Sequence, residues 1–263
     1  MKQFIVDAFT EKIFCGNPAA VCVMKKFPPD ALMQNIAKEN NLSETAFVVK
    51  EKNFYRLRWF TPVAEINLCG HATLAAAFVI FTKIEPDLNR VEFETLSGKL
   101  TVMKSENLLE MNFPAYTYKK IPVTDEMREA VGAEISEAYL SRDLMMLLDS
   151  AEIVENLKPN FDKLKKLEGL TKVVTAKSSD ENFDCVSRVF APNLHINEDP
   201  VTGSSHCMIA PYWAEKLGKQ KIIARQASER GGILHCEILG DRVKIGGLAV
   251  LFAESELNIN ENF

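Results

Sequence analysis

The sequence RWFTP at residues 58–62, followed by CGHAT at residues 69–73, decides the fold because both segments recur in the second half of the chain. The second copy reads RVFAP at residues 188–192 and TGSSH at residues 202–206. Each copy predicts a strand, a turn with a glycine and the start of an apolar helix. The arginine and the glycine are 12 positions apart in the first copy and 15 in the second, so the second copy carries a three-residue insertion relative to the first. The repeat predicts two similar lobes, each presenting a helix N-terminus to a shared cleft.

Length and composition agree with two domains of ordinary size. The chain has 263 residues, of which 47% are hydrophobic and 25% charged, which is enough apolar material for a core in each half. We predict an N-terminal lobe at residues 1–114 and a C-terminal lobe at residues 115–263, whose last strand is free to return to the first lobe. The predicted fold class is α+β, and each lobe is a curled, mostly antiparallel sheet or barrel around a central apolar helix.

Charge and hydropathy exclude several classes of partner. The net charge is −5 and the basic residues are scattered, so we expect no nucleic-acid partner. The longest apolar run, residues 74–81, is far shorter than the roughly 20 residues of a membrane span, so we expect no membrane partner. No secretory signal opens the sequence, and the six cysteines show no metal-binding or redox spacing. We therefore expect a cytoplasmic protein with reduced thiols.

Periodicity of apolar residues predicts the elements around the repeat. Strands are predicted at residues 4–9, 19–24, 46–49, 55–60, 91–93, 100–103, 109–113, 144–148, 172–176, 185–190, 232–238 and 243–252. Helices are predicted from Pro28-Pro29 to Asn40-Asn41, at 72–81, from 124, at 161–167 and at 204–217. Pro211 lies inside the last helix and should bend or split it.

Three polar residues are candidates for catalysis. Glu44 lies in a predicted polar turn, where it is either an exposed turn residue or a general acid/base whose pKa is raised by partial burial. His71 directly follows a glycine at a predicted helix start beside the cleft. Asp199 precedes the second glycine turn, where it either orients a neighbouring imidazole or ammonium group or caps a turn before proline.

Gly70 and Gly203 are candidates for ligand binding. The first amides of a helix lack intrahelical partners and carry partial positive charge, which suits an anionic ligand, and a glycine allows close approach. The alternative is that both glycines only relieve strain in a turn. Cys69 stands where a helix N-terminus favours a thiolate, as a racemase base requires. The matching residue of the second copy is Thr202, so a symmetrical two-cysteine mechanism is disfavoured, and His206 is interpreted as structural.

Ordered matches along nearly the whole chain resemble the PhzF family, which comprises the phenazine-biosynthesis isomerase and its relatives. The matching segments are 7–10 (DAFT), 16–21 (GNPAAV), 41–45 (NLSET), 58–62, 69–73, 187–192 (SRVFAP), 198–204 (EDPVTGS), 210–214 (APYWA), 225–226 (RQ) and 230–232 (RGG). No single match is specific, but so many in order are. The chain departs from the family at Asn67, where relatives often carry an aspartate.

The resemblance implies a diaminopimelate-epimerase-like fold of two pseudo-symmetric lobes with the active site between them. It places the family's acid/base glutamate on Glu44 and its supporting histidine, aspartate and serine on His71, Asp199 and Ser204. It implies no cofactor and no metal, and dimers are common in the family. The substrate-binding residues that we assign with it are Gly70, Gly203, Thr202, Ala72 and Asn17.

The function expected from these observations is a cofactor-independent isomerase that shifts a proton by acid/base catalysis on a small carboxylate substrate. The better-known family member moves a proton along an allylic system of a dihydro-hydroxyanthranilate, but that substrate does not transfer to this chain. One alternative is an epimerase or racemase that uses Cys69. Another is a non-catalytic protein that binds a small ligand on the same scaffold. We expect a homodimer.

Overall fold

The computed structural model describes residues 1–194 and 196–259, which fall into two compact units. The first unit comprises Met1–Asn112 together with the segment from Gly246 onward, and the second comprises Phe113–Ile245. None of the described helices combines the length and apolarity that spanning a bilayer requires.

The strands are β1 Lys2–Ala8, β2 Asn17–Met24, β3 Glu44–Lys50, β4 Tyr55–Phe60, β5 Glu65–Ile66, β6 Arg90–Thr95, β7 Gly98–Ser105, β8 Leu108–Pro114, β9 Lys119–Ile121, β10 Glu137–Leu140, β11 Leu144–Leu147, β12 Lys172–Lys177, β13 Cys185–Ala191, β14 Ile196–Asp199, β15 Lys221–Gln226, β16 Gly232–Leu239, β17 Arg242–Gly247 and β18 Ala249–Glu256. The helices are α1 Asp30–Asn40, α2 Gly70–Val79, α3 Asp125–Val131, α4 Ala151–Asn156, α5 Phe161–Leu164 and α6 His206–Leu217. The molecule is therefore an α+β protein dominated by its strands.

The two units repeat one order of strand pairing. In the first unit, β1–β2 is antiparallel, β2–β3 parallel, β3–β4 antiparallel, β4–β6 parallel and β6–β7 antiparallel. In the second unit, β10, β11, β12, β13, β15 and β16 pair in the same alternation. The short strands β5 and β14 add to β4 and β13 at equivalent places. The sequence repeat therefore reflects a repeated, mostly antiparallel sheet.

A buried helix packs on the sheet of each unit. Helix α2 packs against β1, β2, β3 and β18. Nearly all its side chains are buried, because every face of the helix carries alanine or another residue that packs without charge. Helix α6 packs against β15 and β16. Pro211 lies inside α6, which continues unbroken from His206 to Leu217, so the helix is not split.

The repeated arginine stabilises the same strand contact in both units. Arg58 on β4 donates two hydrogen bonds of 2.6 Å to Glu65 on β5. Arg188 on β13 donates hydrogen bonds of 2.7 and 2.8 Å to Glu198 on β14. The three-residue insertion lies between this arginine and this glutamate, where the second unit has the 3-10 turn Pro192–Leu194. These arginines are structural.

Two predicted boundaries were wrong. Glu44 is the first residue of β3, where it lies beside Ala19 of β2, rather than in a turn. The strand predicted at 243–252 is two strands, β17 and β18, interrupted at Leu248, whose carbonyl accepts a hydrogen bond from the Thr10 amide. Strand β18 pairs with β1. The other predicted elements agree in type to within a few residues, and β5, β9, β10, β14, β15 and α4 were not predicted.

Candidate functional site

Glu44 is positioned by the turn that connects α1 to β3. Helix α1 is capped by Asn41, whose left-handed backbone (φ 49°) redirects the chain into the strand. The next five residues of β3 are buried, and the parallel pairing with β2 fixes their register. The Glu44 side chain, 12% exposed, is thus held in a nearly dry setting at the start of a rigid strand.

His71 faces Glu44 from the first turn of α2. Its Nε2 atom lies 3.1 Å from the Glu44 Oε2 atom, and the imidazole is buried. The two atoms are close enough for an ion pair but are not aligned as a hydrogen bond. Among the residues that the structure describes, neither atom has a hydrogen-bonding partner. The pair therefore retains one buried donor and one buried acceptor for a ligand.

Cys69 completes this cluster from the other side of the imidazole. Its sulfur lies 3.5 Å from the His71 Nδ1 atom. Its carbonyl accepts hydrogen bonds from the Thr73 amide at 3.2 Å and the Thr73 hydroxyl at 2.5 Å, which anchor the first turn of α2. Cys69 thus contacts the imidazole edge opposite Glu44.

The neighbours of His71 raise the pKa of its imidazole, and burial raises the pKa of the Cys69 thiol. Burial alone would lower the pKa of His71, but the negative charges that Cys69 and Glu44 can carry outweigh it, so this pKa is raised well above its usual value. Burial raises the pKa of the Cys69 thiol, and the Glu44 carboxylate raises it further. The prediction that the helix N-terminus would favour a Cys69 thiolate is therefore outweighed by burial, which disfavours this residue as a base.

The cluster does not suit a single metal ion. Ligand atoms of Glu44, Cys69 and His71 lie within 4.8 Å of one another. However, the sulfur approaches Nδ1 and the carboxylate approaches Nε2, and these two nitrogens point out of different edges of the imidazole ring. An ion bound to either nitrogen would lie away from one of the other two ligands.

The second glycine turn is built from different contacts. The Asp199 carboxylate accepts a 2.6 Å hydrogen bond from the Thr202 hydroxyl, and Gln226 links the Thr202 amide to the Asp199 carbonyl. His206 turns its Nδ1 atom back to the Thr202 carbonyl at 2.9 Å. Burial lowers the pKa of His206 to about 4, against the raising effect of this bond. A neutral, fully buried His206 fits the structural role predicted for it.

Ser204 lies in this turn and contacts an arginine from a distant part of the sequence. The Arg142 Nη2 atom donates a 2.9 Å hydrogen bond to the Ser204 hydroxyl oxygen. Arg142 also donates two 3.0 Å bonds to Asp143, which is completely buried. Sequence reasoning missed both residues, because 62 positions separate Arg142 from Ser204 and no motif marks the contact. The available signal was a charged Arg-Asp pair directly before the apolar run 144–148.

Both turns leave backbone amides available. Gly70 is the first residue of α2, and the amides of Gly70 and His71 have no carbonyl partner among the described residues. The same holds for the amides of Gly203 and Ser204, since the hydrogen bonds of this turn begin with the His206 amide. Neither glycine has a positive φ, so backbone strain does not explain them. Both groups of amides have the arrangement that binds anions.

The structure thus gathers the predicted residues into two groups. Within the first unit, Glu44 and His71 meet at the start of α2, where Gly70 and Ala72 adjoin them along the chain. Asn17 is a buried residue at the start of β2. Within the second unit, Asp199, Thr202, Gly203 and Ser204 form one turn. That both groups serve one ligand stays a prediction.

Comparisons with known proteins agree on one family. The family model described as phenazine biosynthesis-like protein (PhzC-PhzF) matches residues 6–255. An "uncharacterized isomerase" of Pseudomonas aeruginosa is 45% identical over 256 residues, which cover 97% of this chain and 98% of that protein. The crystal structure of a PhzF-family phenazine biosynthesis protein from Enterococcus faecalis is 49% identical and superposes with a TM-score of 0.96, covering 98% of this chain and 99% of that one.

The fold extends to more distant proteins. A probable proline racemase from Agrobacterium radiobacter superposes with a TM-score of 0.63 at 10% identity, covering 99% of this chain and 94% of that one. At this identity the likeness concerns the fold alone. It agrees with an epimerase-like architecture.

Proposed function

The chain belongs to the phenazine biosynthesis-like (PhzF) family, and from this membership and the geometry above we propose that it is a cofactor-independent isomerase that moves a proton on a small carboxylate substrate. Glu44 is the acid/base, and His71 is its charged partner. The observation that supports this most is the buried contact of 3.1 Å between Glu44 and His71, in which both facing atoms lack a hydrogen-bonding partner among the described residues.

The proposed reaction is a proton shift within one molecule. The Glu44 carboxylate removes a proton from a carbon next to a double bond, and the electron pair delocalises along the allylic system. The same carboxyl group then returns the proton to the far carbon, so the substrate and product have the same composition. The His71 imidazolium would stabilise the developing negative charge by hydrogen bonding, an effect that is strong in a water-poor site.

The carboxylate of the substrate is expected to bind the backbone amides and hydroxyl groups of a glycine turn. The amides at Gly70 and those at Gly203, which lack a carbonyl partner among the described residues, suit an anion, and so does the Ser204 hydroxyl. Asp199 would act through the Thr202 hydroxyl that it binds. Thr202, Ala72 and Asn17 are proposed to line the site.

The test measures the exchange of substrate C–H bonds in heavy water across a panel of cyclic and unsaturated amino or hydroxy acids. We expect Glu44→Gln to fold normally and to lose exchange by about 10²- to 10⁴-fold, which is the usual contribution of a general acid/base. The matched control is Glu39→Gln, the same change on an exposed glutamate of α1, which should exchange at the wild-type rate. Unchanged exchange in Glu44→Gln would remove Glu44 from the mechanism.

The same assay separates the alternatives. A Cys69-based epimerase would lose exchange completely in Cys69→Ala, whereas our proposal expects this variant to retain most of it. A non-catalytic binding protein would bind a compound of the panel tightly while every C–H bond of that compound resists exchange.

We further propose that the protein acts in the cytosol as a homodimer. All six cysteines are free thiols, as a reducing compartment favours. Sedimentation analysis of the purified protein at micromolar concentration tests the dimer, and a single monomeric species would refute it.

A further inference from the structure

Arg142 is held rigidly by three neighbours within the second unit. Its Nε and Nη2 atoms each donate a 3.0 Å hydrogen bond to the Asp143 carboxylate. Its Nη1 atom donates a 3.1 Å bond to the Tyr116 hydroxyl, and its guanidinium carbon lies 5.1 Å from the centre of that ring. The third neighbour is Ser204, at 2.9 Å from Nη2. The Arg142 side chain is 33% exposed, so this arrangement is not a buried core contact.

Asp143 is fixed in turn by groups around it. The Ser205 hydroxyl donates a 2.9 Å hydrogen bond to its Oδ2 atom. Because Ser205 uses its only hydrogen there, the Thr171 hydroxyl, 3.2 Å away, must donate to Ser205. The network therefore has a defined direction, and it ends at the Asp143 carboxylate. A guanidinium bound to a carboxylate with this support has little freedom to turn.

The hydrogen bond from Arg142 determines the role of the Ser204 hydroxyl. A guanidinium is only a donor, so the Ser204 oxygen must accept from Arg142 and its own hydrogen must point elsewhere. Among the described residues, no acceptor takes that hydrogen. A serine without such a neighbour could present either a lone pair or a hydrogen to a ligand. Here the hydrogen bond from Arg142 leaves the Ser204 hydroxyl its hydrogen to donate to a ligand.

We propose that Arg142 is a positioning residue that orients Ser204 as a hydrogen-bond donor, so that Ser204 selects an acceptor oxygen of the substrate, such as a carboxylate oxygen, over an N–H group. This inference rests on the proposed function only in taking Ser204 as a ligand contact. Four of the five N–H groups of Arg142 are already used within the protein, and its charge is paired with Asp143. Arg142 therefore acts through Ser204 rather than as the main contact of the ligand.

The test uses benzoate as a stable carboxylate probe and benzamide as its neutral counterpart of the same shape. Calorimetric titration measures both affinities for the wild type, Ser204→Ala, Arg142→Lys and the double variant. We expect the wild type to bind benzoate more tightly than benzamide. Each single change should weaken benzoate about tenfold, the usual effect of losing one hydrogen bond to a charged group. The double variant should be no weaker than Ser204→Ala alone.

The matched control is Arg188→Lys in the same unit. Arg188 is also paired with a carboxylate, but its hydrogen bonds go to Glu198 and to backbone carbonyls rather than to Ser204. This variant should lose stability without a change in the ratio of benzoate to benzamide affinity. If Arg142→Lys does not fold, Tyr116→Phe loosens the same guanidinium and should lower the ratio only while Ser204 is present.

Three outcomes would overturn the proposal. The first is that the wild type binds neither probe or does not prefer benzoate. The second is that Arg142→Lys weakens benzoate as much in the Ser204→Ala background as in the wild type. The third is an equal change in both affinities. None of these depends on proton transfer, so a failure of the isomerase proposal, seen as absent exchange in the panel, remains a separate result.

Discussion

The two glycine turns share a scaffold but differ in chemistry. In each, an arginine on a strand binds a glutamate on a short added strand, and the glutamate precedes the glycine by five positions. At the first turn, His71 faces a carboxylate and its pKa is raised. At the second, His206 faces a backbone carbonyl and its pKa falls to about 4. The repeat therefore preserves the support of each turn, while single side chains decide what the turn does.

The partner of each imidazole explains the difference. Both rings are buried, and burial disfavours the charged form of each. Only His71 lies between two groups that can carry negative charge, the Cys69 sulfur and the Glu44 carboxylate, and together they overcome this cost. At the second turn the positive charge is supplied by Arg142, which cannot lose its proton. One turn thus suits proton transfer, and the other suits fixed recognition.

The largest expected effect is on catalysis, in which substitutions of the two histidines should differ. His71→Gln should reduce exchange in the heavy-water assay by about a hundredfold, because a group that stabilises the developing charge is lost. His206→Gln should leave exchange per folded molecule close to wild type. Equal losses in both variants, measured at equal folded fraction by circular dichroism, would break the comparison.

The next effect is the acid sensitivity of the fold. The folded-state pKa of His206, about 4, lies below its unfolded value, so the unfolded chain takes up the proton first and stability falls as the pH drops between about 6.5 and 4. His206 should therefore cost about 2 kcal/mol of unfolding free energy between pH 7 and pH 5. His71 has the opposite sign, since its stabilisation is complete below its unfolded pKa and is lost as the pH rises through its raised folded pKa.

Urea unfolding of the wild type, His206→Gln and His71→Gln at pH 7 and pH 5 measures these contributions. His206→Gln should remove the acid loss, whereas His71→Gln should make it steeper. An acid loss of the same size in all three proteins would contradict the assignment.

The smallest effect compares the two arginines that support the turns. Arg188 also donates to the Leu157 carbonyl at 2.7 Å, whereas the additional partner of Arg58 is Asp30, whose side chain is 74% exposed. Arg188→Met should therefore reduce the unfolding free energy by about 1 kcal/mol more than Arg58→Met, since an unpaired buried carbonyl adds to the loss. Thermal unfolding of both variants checks this, and an equal loss would make the two supports equivalent.

The sequence predicted the repeated architecture well because strands and apolar helices leave periodic patterns. It misplaced Glu44 in a turn, because the strand begins with a polar residue and only pairing with β2 extends it there. It treated residues 243–252 as one strand and gave no weight to Gly246 and Gly247, a turn signal directly before the break at Leu248. Local patterns carry no information about which strand a segment pairs with, and this pairing decides where the strand begins.

The candidate site divides in the same way. Glu44, His71 and Ser204 lie in short motifs and could be named as candidates, whereas Arg142 and Asp143 contact residues 62 positions away and were not named. The alternative of a Cys69-based epimerase followed from the helix N-terminus, which favours a thiolate. Burial, which the sequence does not give, raises the pKa of this thiol and works against that alternative.

The return of β18 to β1 has a consequence for biosynthesis. The second unit is one continuous stretch, Phe113–Ile245, whereas the first needs the pairing of Lys2 with Glu256. A ribosome synthesises the whole second unit before it makes β18, the strand that pairs with β1. The unit whose translation starts first is thus the last to be completed. The edge of β1 that pairs with β18 stays unpaired while more than a hundred further codons are translated.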